Sequence, residues 1–423
     1  MNTLPECLAW LEQRSGQFVK LGLESMQQAL NVLSWPKLAP RVVIVGGTNG
    51  KGTTVGLITA LCIGLGYRVG TYTSPHLVCF NERIALQGQP VSDEHLVSAF
   101  RQLRPLTDQI DLTYFEFITL VAGLIFIEAD LDCVILEVGL GGRLDAVNVF
   151  ARDLAVITNV DFDHQAILGS TLEEIGREKS GIIAHGKPVL LGAEVLPATV
   201  LAVAHTQASV CYQYGVDYGI DPACQYWFPR YLPASVEVAS PPGVDPNNLA
   251  TALTATALIG GFEALNRPEV QETLHTVQIP ARCQWWGAGR RVLLDVSHNP
   301  QSIEKLARFV SQTKPSGRVL AVCGMLKDKD IHTALQYMIP CVDQWYLANV
   351  ECLRGAPAEL LSKILDHFSV FNQECYNSPC EAFLRAQRDK QLEDCIVVFG
   401  SFYTVGPIYH SLLNSTHADI EQA

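Results

Sequence analysis

Apolar residues along this chain gather in short β-branched runs, and longer stretches with helical spacing separate those runs. Leu23, Met26, Leu30 and Leu33 fall on one helical face, and Pro36 ends the segment. Arg41-Val42-Val43-Ile44-Val45 then reads as a buried strand closed by Gly46-Gly47, with a helix following through Leu65. Further strands are predicted at Arg68 to Tyr72, Cys133 to Val138, Leu154 to Asn159 and Pro188 to Leu191. An apolar helix from Phe115 to Ala129 precedes the second of these. Strands alternating with helices predict an α/β fold with a mainly parallel sheet covered on both faces.

The alternation lapses between Gln278 and Arg291, where Trp285-Trp286 reads as plain linker or interface packing. Beyond it strands are predicted at Val292 to Asp295, Arg318 to Cys323, Gln344 to Ala348 and Cys395 to Phe399. The expected organisation is a first domain over 1–285, built around a P-loop, and a smaller Rossmann-like domain over 286–423. The second carries no dinucleotide fingerprint.

Composition narrows this picture. At 423 residues the chain exceeds one ordinary core, and 48% hydrophobic against 17% charged residues argues against disorder. A formal charge of −13 disfavours nucleic acid and anionic lipid as partners, so any phosphate site must be local. The opening residues lack the pattern of a signal peptide, and the most apolar stretch, Phe117 to Ile127, is too short to span a bilayer. Thirteen cysteines without paired metal spacing fit a reduced, cytoplasmic chain.

Gly47-Thr48-Asn49-Gly50-Lys51-Gly52-Thr53-Thr54 lies between a predicted strand and a predicted helix. Backbone N–H groups can wrap phosphate oxygens there, with Lys51 neutralising charge and Thr53 or Thr54 offering a hydroxyl near a metal. The match to the general P-loop is imperfect, since Val45 replaces its first glycine and Gly52 separates Lys51 from Thr53. Ser74 follows the second strand, Glu137 closes a buried one, and Asp161-Phe162-Asp163-His164 follows the next. Singly, Ser74 could cap a turn, Glu137 could pair with Arg143 and His164 could be a satisfied histidine. Together, polar ligands at strand ends beside a phosphate loop favour Mg²⁺ held jointly by protein and ATP.

The set of motifs resembles the bifunctional dihydrofolate synthase/folylpolyglutamate synthase family of the Mur ligase superfamily. The matching residues are Leu-Gly-Leu-Glu (21–24), the loop at 47–54, Ser-Pro-His-Leu (74–77), Leu-Thr-Tyr-Phe-Glu (112–116) and Leu-Glu-Val-Gly-Leu-Gly-Gly-Arg-Leu-Asp-Ala (136–146). Asp163-His164, Gly-Arg-Glu-Lys-Ser-Gly-Ile (176–182), Asp-Val-Ser-His-Asn-Pro (295–300) and Gly-Ser-Phe-Tyr-Thr-Val (400–405) complete it. The chain departs from the family at Ala281, where glycine is usual, and at Ser297, where alanine is usual.

The resemblance implies an ATP-dependent ligase that joins L-glutamate to dihydropteroate and to reduced folates. Thr48, Asn49, Gly50 and Lys51 would hold phosphates, and Asn248, Arg282 and Asp295 would complete the nucleotide site from the far side of a cleft. Ser74, Glu137 and His164 would ligate Mg²⁺, with two ions expected and a monovalent cation as an option. Lys179 would take up CO₂ as a carbamate and serve a second metal. Thr113, Tyr114, Phe115 and Glu116, with Leu144, Asp145 and Ala146, would line the pterin site. His298 and Ser401 would contact glutamate, and the protein would act as a monomer.

Each assignment has a structural competitor. Thr113 could simply cap a helix, Asn248 and Arg282 could be surface or linker polarity, Asp295 and His298 could belong to a strand-end turn, and Lys179 could be a solvated lysine. Two other functions compete with the ligase. A Mur-type ligase acting on another carboxylate would be expected to carry a further N-terminal substrate domain, whereas the loop here begins by residue 47. A P-loop nucleotide switch of the GTPase kind would carry Asn-Lys-x-Asp, which the sequence lacks.

Overall fold

The run Arg41–Gly46 does form a strand, β1, at the centre of an eight-stranded sheet. The computed structural model describes residues 2–15, 22–221, 226–230, 235–287, 291–314 and 316–420. Leu21 of the first motif and residues 288–290 of the expected linker lie outside them. The other strands of this sheet are β2 (Val69–Tyr72), β3 (Ile84–Leu86), β4 (Gln89–Pro90), β5 (Cys133–Glu137), β6 (Leu154–Ile157), β7 (Val189–Leu191) and β8 (Cys211–Gln213). Their order is β4-β3-β2-β5-β1-β6-β7-β8, parallel from β2 to β8, with β3 and β4 adding an antiparallel edge.

Register does the functional work. Val45 lies opposite Glu137, Gly46 opposite Ile157, and Tyr72 opposite Leu136. The C-terminal ends of β1, β2, β5 and β6 therefore finish side by side, where open parallel sheets meet their ligands. Expected strands ending at Val138 and Asn159 stop at Glu137 and Ile157 instead. Beyond Ile157 the backbone of Thr158 and Asn159 still bonds to Gly46 and Thr48, and their side chains bond to the same loop at Asn49.

Helix Lys51–Gly64 starts from Gly50, which is left-handed at φ 81°. Helix Pro246–Gly260 packs on it, and a small sheet of β9 (Tyr218–Ile220), β10 (Tyr226–Pro229) and β11 (Val236–Glu237) packs on that helix in turn. The buried Trp227 indole N–H donates to Thr254 Oγ1 at 3.0 Å, so this sheet is anchored by a satisfied aromatic. The N-terminal helix Leu4–Ser15, not read from the sequence, sets Trp10 edge-on against Phe117 with centroids 5.4 Å apart.

The chain divides into two units. One comprises Met1–Pro241 with Asp245–Val277, the other Pro242–Val244 with Gln278–Ala423. The expected boundary at 285/286 needs correction, because it falls inside strand β12 (Gln284–Trp286). β12 runs antiparallel to β13 (Val292–Leu294), so the two tryptophans are an edge strand of the second unit's sheet rather than linker. That sheet also contains β14 (Val319–Cys323), β15 (Gln344–Ala348), β16 (Gln373–Tyr376) and β17 (Cys395–Phe399), in the order β12-β13-β17-β14-β15-β16. All pairs but the first are parallel.

Candidate active site

The phosphate loop is held from the side by the end of β6. Asn159 accepts the Thr48 N–H at its carbonyl (3.1 Å) and the Asn49 N–H at Oδ1 (2.8 Å). Thr158 Oγ1 donates to the Asn49 carbonyl at 2.6 Å, and an added Cβ on Gly47 would collide with that same hydroxyl. Thr48 Oγ1 in turn bonds the backbone of Asp161, donating at 3.1 Å and accepting at 3.0 Å. The N–H groups of Thr48 and Asn49 are thus spent on shaping the loop. Phosphate oxygens are left to the first turn from Gly50 to Thr53, whose N–H groups an α-helix does not use itself. Thr158 and Asn159 had a visible signal, a polar pair directly after an apolar strand, and the sequence reading passed over it.

Asn248 is placed differently from expectation. Its side-chain amide fills the space where a Cβ on Gly50 would stand, so it belongs beside the phosphate loop in the first unit. Arg282 and Asp295 lie in the second unit.

Two lysines converge on one oxygen. Lys51 Nζ donates to the carbonyls of Gly47 and Thr48, each at 3.1 Å, and Lys179 Nζ donates to Gly47 at 2.9 Å. Lys179 is buried at 4% exposure, which removes the reading of a solvated lysine. Burial first, and the Lys51 charge second, push its amine down to about 7, against the smaller opposing pull of Asp163 and Asp145. Near neutral pH a large share of this amine is uncharged and nucleophilic.

Glu137 is buried at the end of β5, and its Oε2 accepts the Ser74 N–H at 3.2 Å. The alternative pairing with Arg143 does not occur, because Arg143 binds Glu178 Oε1 at 2.8 Å. His164 takes a left-handed conformation (φ 51°), with its N–H on Asp163 Oδ1 at 2.8 Å. The buried Thr54 hydroxyl has no hydrogen-bond partner among the described residues. Glu137 with Ser74 beside it is the oxygen-donor pair that suits a divalent cation shared with phosphate, although no cluster of three or more His, Cys, Asp or Glu side chains occurs among the described residues.

The expected pterin residues divide by role. Thr113 and Glu116 form a capping box on helix Tyr114–Glu128, with Glu116 Oε2 accepting the Thr113 N–H at 2.8 Å. Tyr114 and Phe115 are the half-exposed faces of that turn, and the Phe115 ring occupies the space beside Gly139. Asp145 is buried and accepts N–H bonds from Leu140 (2.8 Å) and Val147 (3.1 Å). Burial outweighs those bonds and raises its carboxyl to about 6. Leu144 is half-buried and Ala146 fully buried beside it.

In the second unit, Asp295 accepts the N–H groups of Cys283 (2.7 Å) and Ser297 (2.8 Å), and His298 Nδ1 sits 2.9 Å from the Val296 carbonyl. Gly400 N–H donates to the Ser297 carbonyl at 3.0 Å, which joins the loops after β13 and β17. Ser401 is buried, and its hydroxyl lies 2.7 Å from that of Thr404 while accepting the Thr404 N–H. The Arg282 guanidinium carbon stands 5.3 Å from the centre of the Phe402 ring.

Two domain families match: the Mur ligase middle domain over residues 45–191 and the Mur ligase glutamate ligase domain over 281–402. The Escherichia coli K12 dihydrofolate synthase/folylpolyglutamate synthase is 38% identical over 407 residues, covering 96% of this chain and 95% of the relative. Among solved structures, E. coli FolC in complex with DHPP and ADP superposes with a TM-score of 0.89 at 36% identity, covering 98% of each chain. A bifunctional folylpolyglutamate synthase/dihydrofolate synthase with Mn, AMPPNP and L-glutamate bound gives 0.86 at 36% identity, covering 96% of this chain and 98% of the other. The chain belongs to the dihydrofolate synthase/folylpolyglutamate synthase family of Mur ligases.

Proposed function

We propose that this protein uses ATP to join L-glutamate to dihydropteroate, forming dihydrofolate, and to add glutamate to reduced folates. The observation that carries the reading is the convergence of Lys51 and Lys179 on the Gly47 carbonyl at the mouth of a phosphate loop. A carboxylate is a poor electrophile. Its oxygen attacks the γ-phosphorus, ADP leaves, and the resulting acyl phosphate offers phosphate as a leaving group. The glutamate nitrogen then bonds to the acyl carbon as the C–O bond to phosphate breaks and the nitrogen gives up its proton.

Residues of the chain supply positioning and charge. Lys51 and the first-turn N–H groups of Gly50 to Thr53 fix the phosphates, with Asn248 packed against Gly50. Tyr114, Phe115, Leu144, Asp145 and Ala146 receive the pterin, and the Thr113–Glu116 box sets the turn that presents it. Ser74, Glu137, His164 and Lys179, the last as a carbamate, would hold Mg²⁺, which supplies charge neutralisation at the phosphates when bound. Arg282 and Asp295 contribute nucleotide contacts from the second unit. His298 meets the incoming glutamate, with Ser401 holding the neighbouring loop.

We assign the protein to the cytoplasm as a monomer, without nucleic-acid or membrane partners. Among the described residues no helix is long and apolar enough to cross a membrane. The test is ADP release with Mg·ATP, dihydropteroate and glutamate. Release should require both acceptor and glutamate; the same rate without either would defeat the reading, and activity on dihydropteroate alone would remove the folate half.

A further inference from the structure

The loop after β2 carries a cation that no carboxylate among the described residues answers. Arg83 closes the short turn Phe80–Arg83 and is half-buried. Its Nε donates to His76 Nδ1 at 3.0 Å, and its guanidinium carbon lies 5.7 Å from the centre of the Phe80 ring. Among the described residues no Asp or Glu pairs with it. The adjacent acid, Glu82, is fully engaged elsewhere, accepting N–H bonds from Leu77 (2.7 Å), Val78 (2.9 Å) and Cys79 (2.8 Å). By contrast Arg68, Arg143, Arg318 and Arg354 all hold carboxylates within 3.0 Å. A half-buried guanidinium with its Nε pinned has a fixed fork of remaining N–H donors, the geometry that binds a carboxylate in two-point fashion.

Its position is equally specific. Thr73 N–H donates to the Arg83 carbonyl at 2.9 Å, and the next residue, Ser74, donates to Glu137. Tyr72, just before them, has its ring centre 5.9 Å from that of Phe115, and its phenol lies within reach of the Arg83 charge. The backbone of Arg83 is therefore bonded to the segment that links the aromatic wall of the pterin site to the Ser74–Glu137 corner.

We propose that Arg83, oriented by His76, binds a carboxylate of the pterin-side substrate. The inference rests on the folate-ligase reading above. Two carboxylates share this chemistry: the reacting one, present on dihydropteroate, and the α-carboxylate of the terminal glutamate, present only on folates.

The experiment measures steady-state constants for wild type, Arg83→Gln, Arg83→Lys and His76→Ala with dihydropteroate and with tetrahydrofolate. Wild type that uses neither acceptor would overturn the folate reading itself. Given active wild type, Arg83→Gln should raise the pterin-side KM about ten- to hundredfold, the loss of a charged two-point contact. KM for ATP and glutamate should stay within about twofold, Arg83→Lys should recover part of the loss, and His76→Ala should show the same selectivity more weakly. A loss with both acceptors assigns the reacting carboxylate; a loss confined to tetrahydrofolate assigns the α-carboxylate. Unchanged pterin-side KM, or a uniform loss for all substrates with a lowered Tm, would overturn the proposal in favour of a loop-holding role.

Discussion

Lys179 shows what a single residue contributes to this site and what it costs the fold. Its amine is buried, shares the Gly47 carbonyl with Lys51 and is held near pH 7. The folded amine binds its proton less tightly than the unfolded one, so from about pH 7 to the ordinary lysine range the unfolded chain carries the extra proton. Stability from this group therefore rises with pH across that window, and the penalty is complete below it. Lys179→Met should flatten the gain in Tm between pH 7 and about pH 9 while abolishing ligation. Lys179→Arg should also be inactive, because guanidinium cannot take up CO₂. Extra density on the lysine, or partial rescue of Lys179→Ala by a short carboxylic acid, would identify the carbamate; full activity in Lys179→Ala would refute it. Lys51→Ala should lose about 10²–10³-fold in kcat with the fold intact, since phosphoryl charge is left uncompensated. At this scale the sequence drew attention to a residue whose type is unusual for its place, as with Lys51 after a glycine turn and Glu137 closing an apolar strand, whereas Asp145 entered only through the family resemblance. The sequence was silent on most hydrogen-bond commitments: it offered Thr113 as a helix cap beside the pterin role without choosing between them, and it could not tell that Ser401 is buried on Thr404.

Among the elements, the apolar β-branched runs declared themselves, and β1, β2, β5, β6, β7 and the strands β13, β14, β15 and β17 all occur where the pattern put them. The edges did not. β4 is two residues long and ends on proline, and β16 carries the exposed Glu374 and Cys375, so neither shows an apolar pattern. β12 was hidden because its burial is partial and its neighbours are Gly, Ala and Arg. The junction of β6 with the phosphate loop gives a test at this level. Thr158→Val keeps the shape but removes the bond to the Asn49 carbonyl, and Thr158→Ser keeps the hydroxyl. The valine variant should bind ADP about tenfold more weakly with adenosine binding unchanged, and serine should restore it. Isothermal titration separates this from a general loss, which would weaken both ligands alike.

Taken as a whole chain, the division into two α/β units was legible from the lapse near residue 280, but its position was not, because a strand lies inside the lapse. The first unit is also discontinuous in sequence: Asp245–Val277 returns to it after Pro242–Val244 has joined the other. A fragment of residues 1–241 lacks the helix Pro246–Gly260 that packs on Lys51–Gly64, and should unfold without a sharp thermal transition, whereas a 1–277 fragment should melt cooperatively. The sheet order carries a consequence for biosynthesis. β1 acquires its two neighbours only from residues 133–137 and 154–157, and its helix acquires its helical cover from 246–260 and 268–276. A nascent chain emerging from the ribosome therefore carries the apolar strand β1 without a partner for roughly a hundred residues of synthesis, at about 5–20 residues per second. Loop closure over such spans is slow compared with local helix formation. Early-arrested chains of this protein should accordingly be aggregation-prone clients of a ribosome-associated chaperone, and the placement that builds the phosphate site so late is what exposes them.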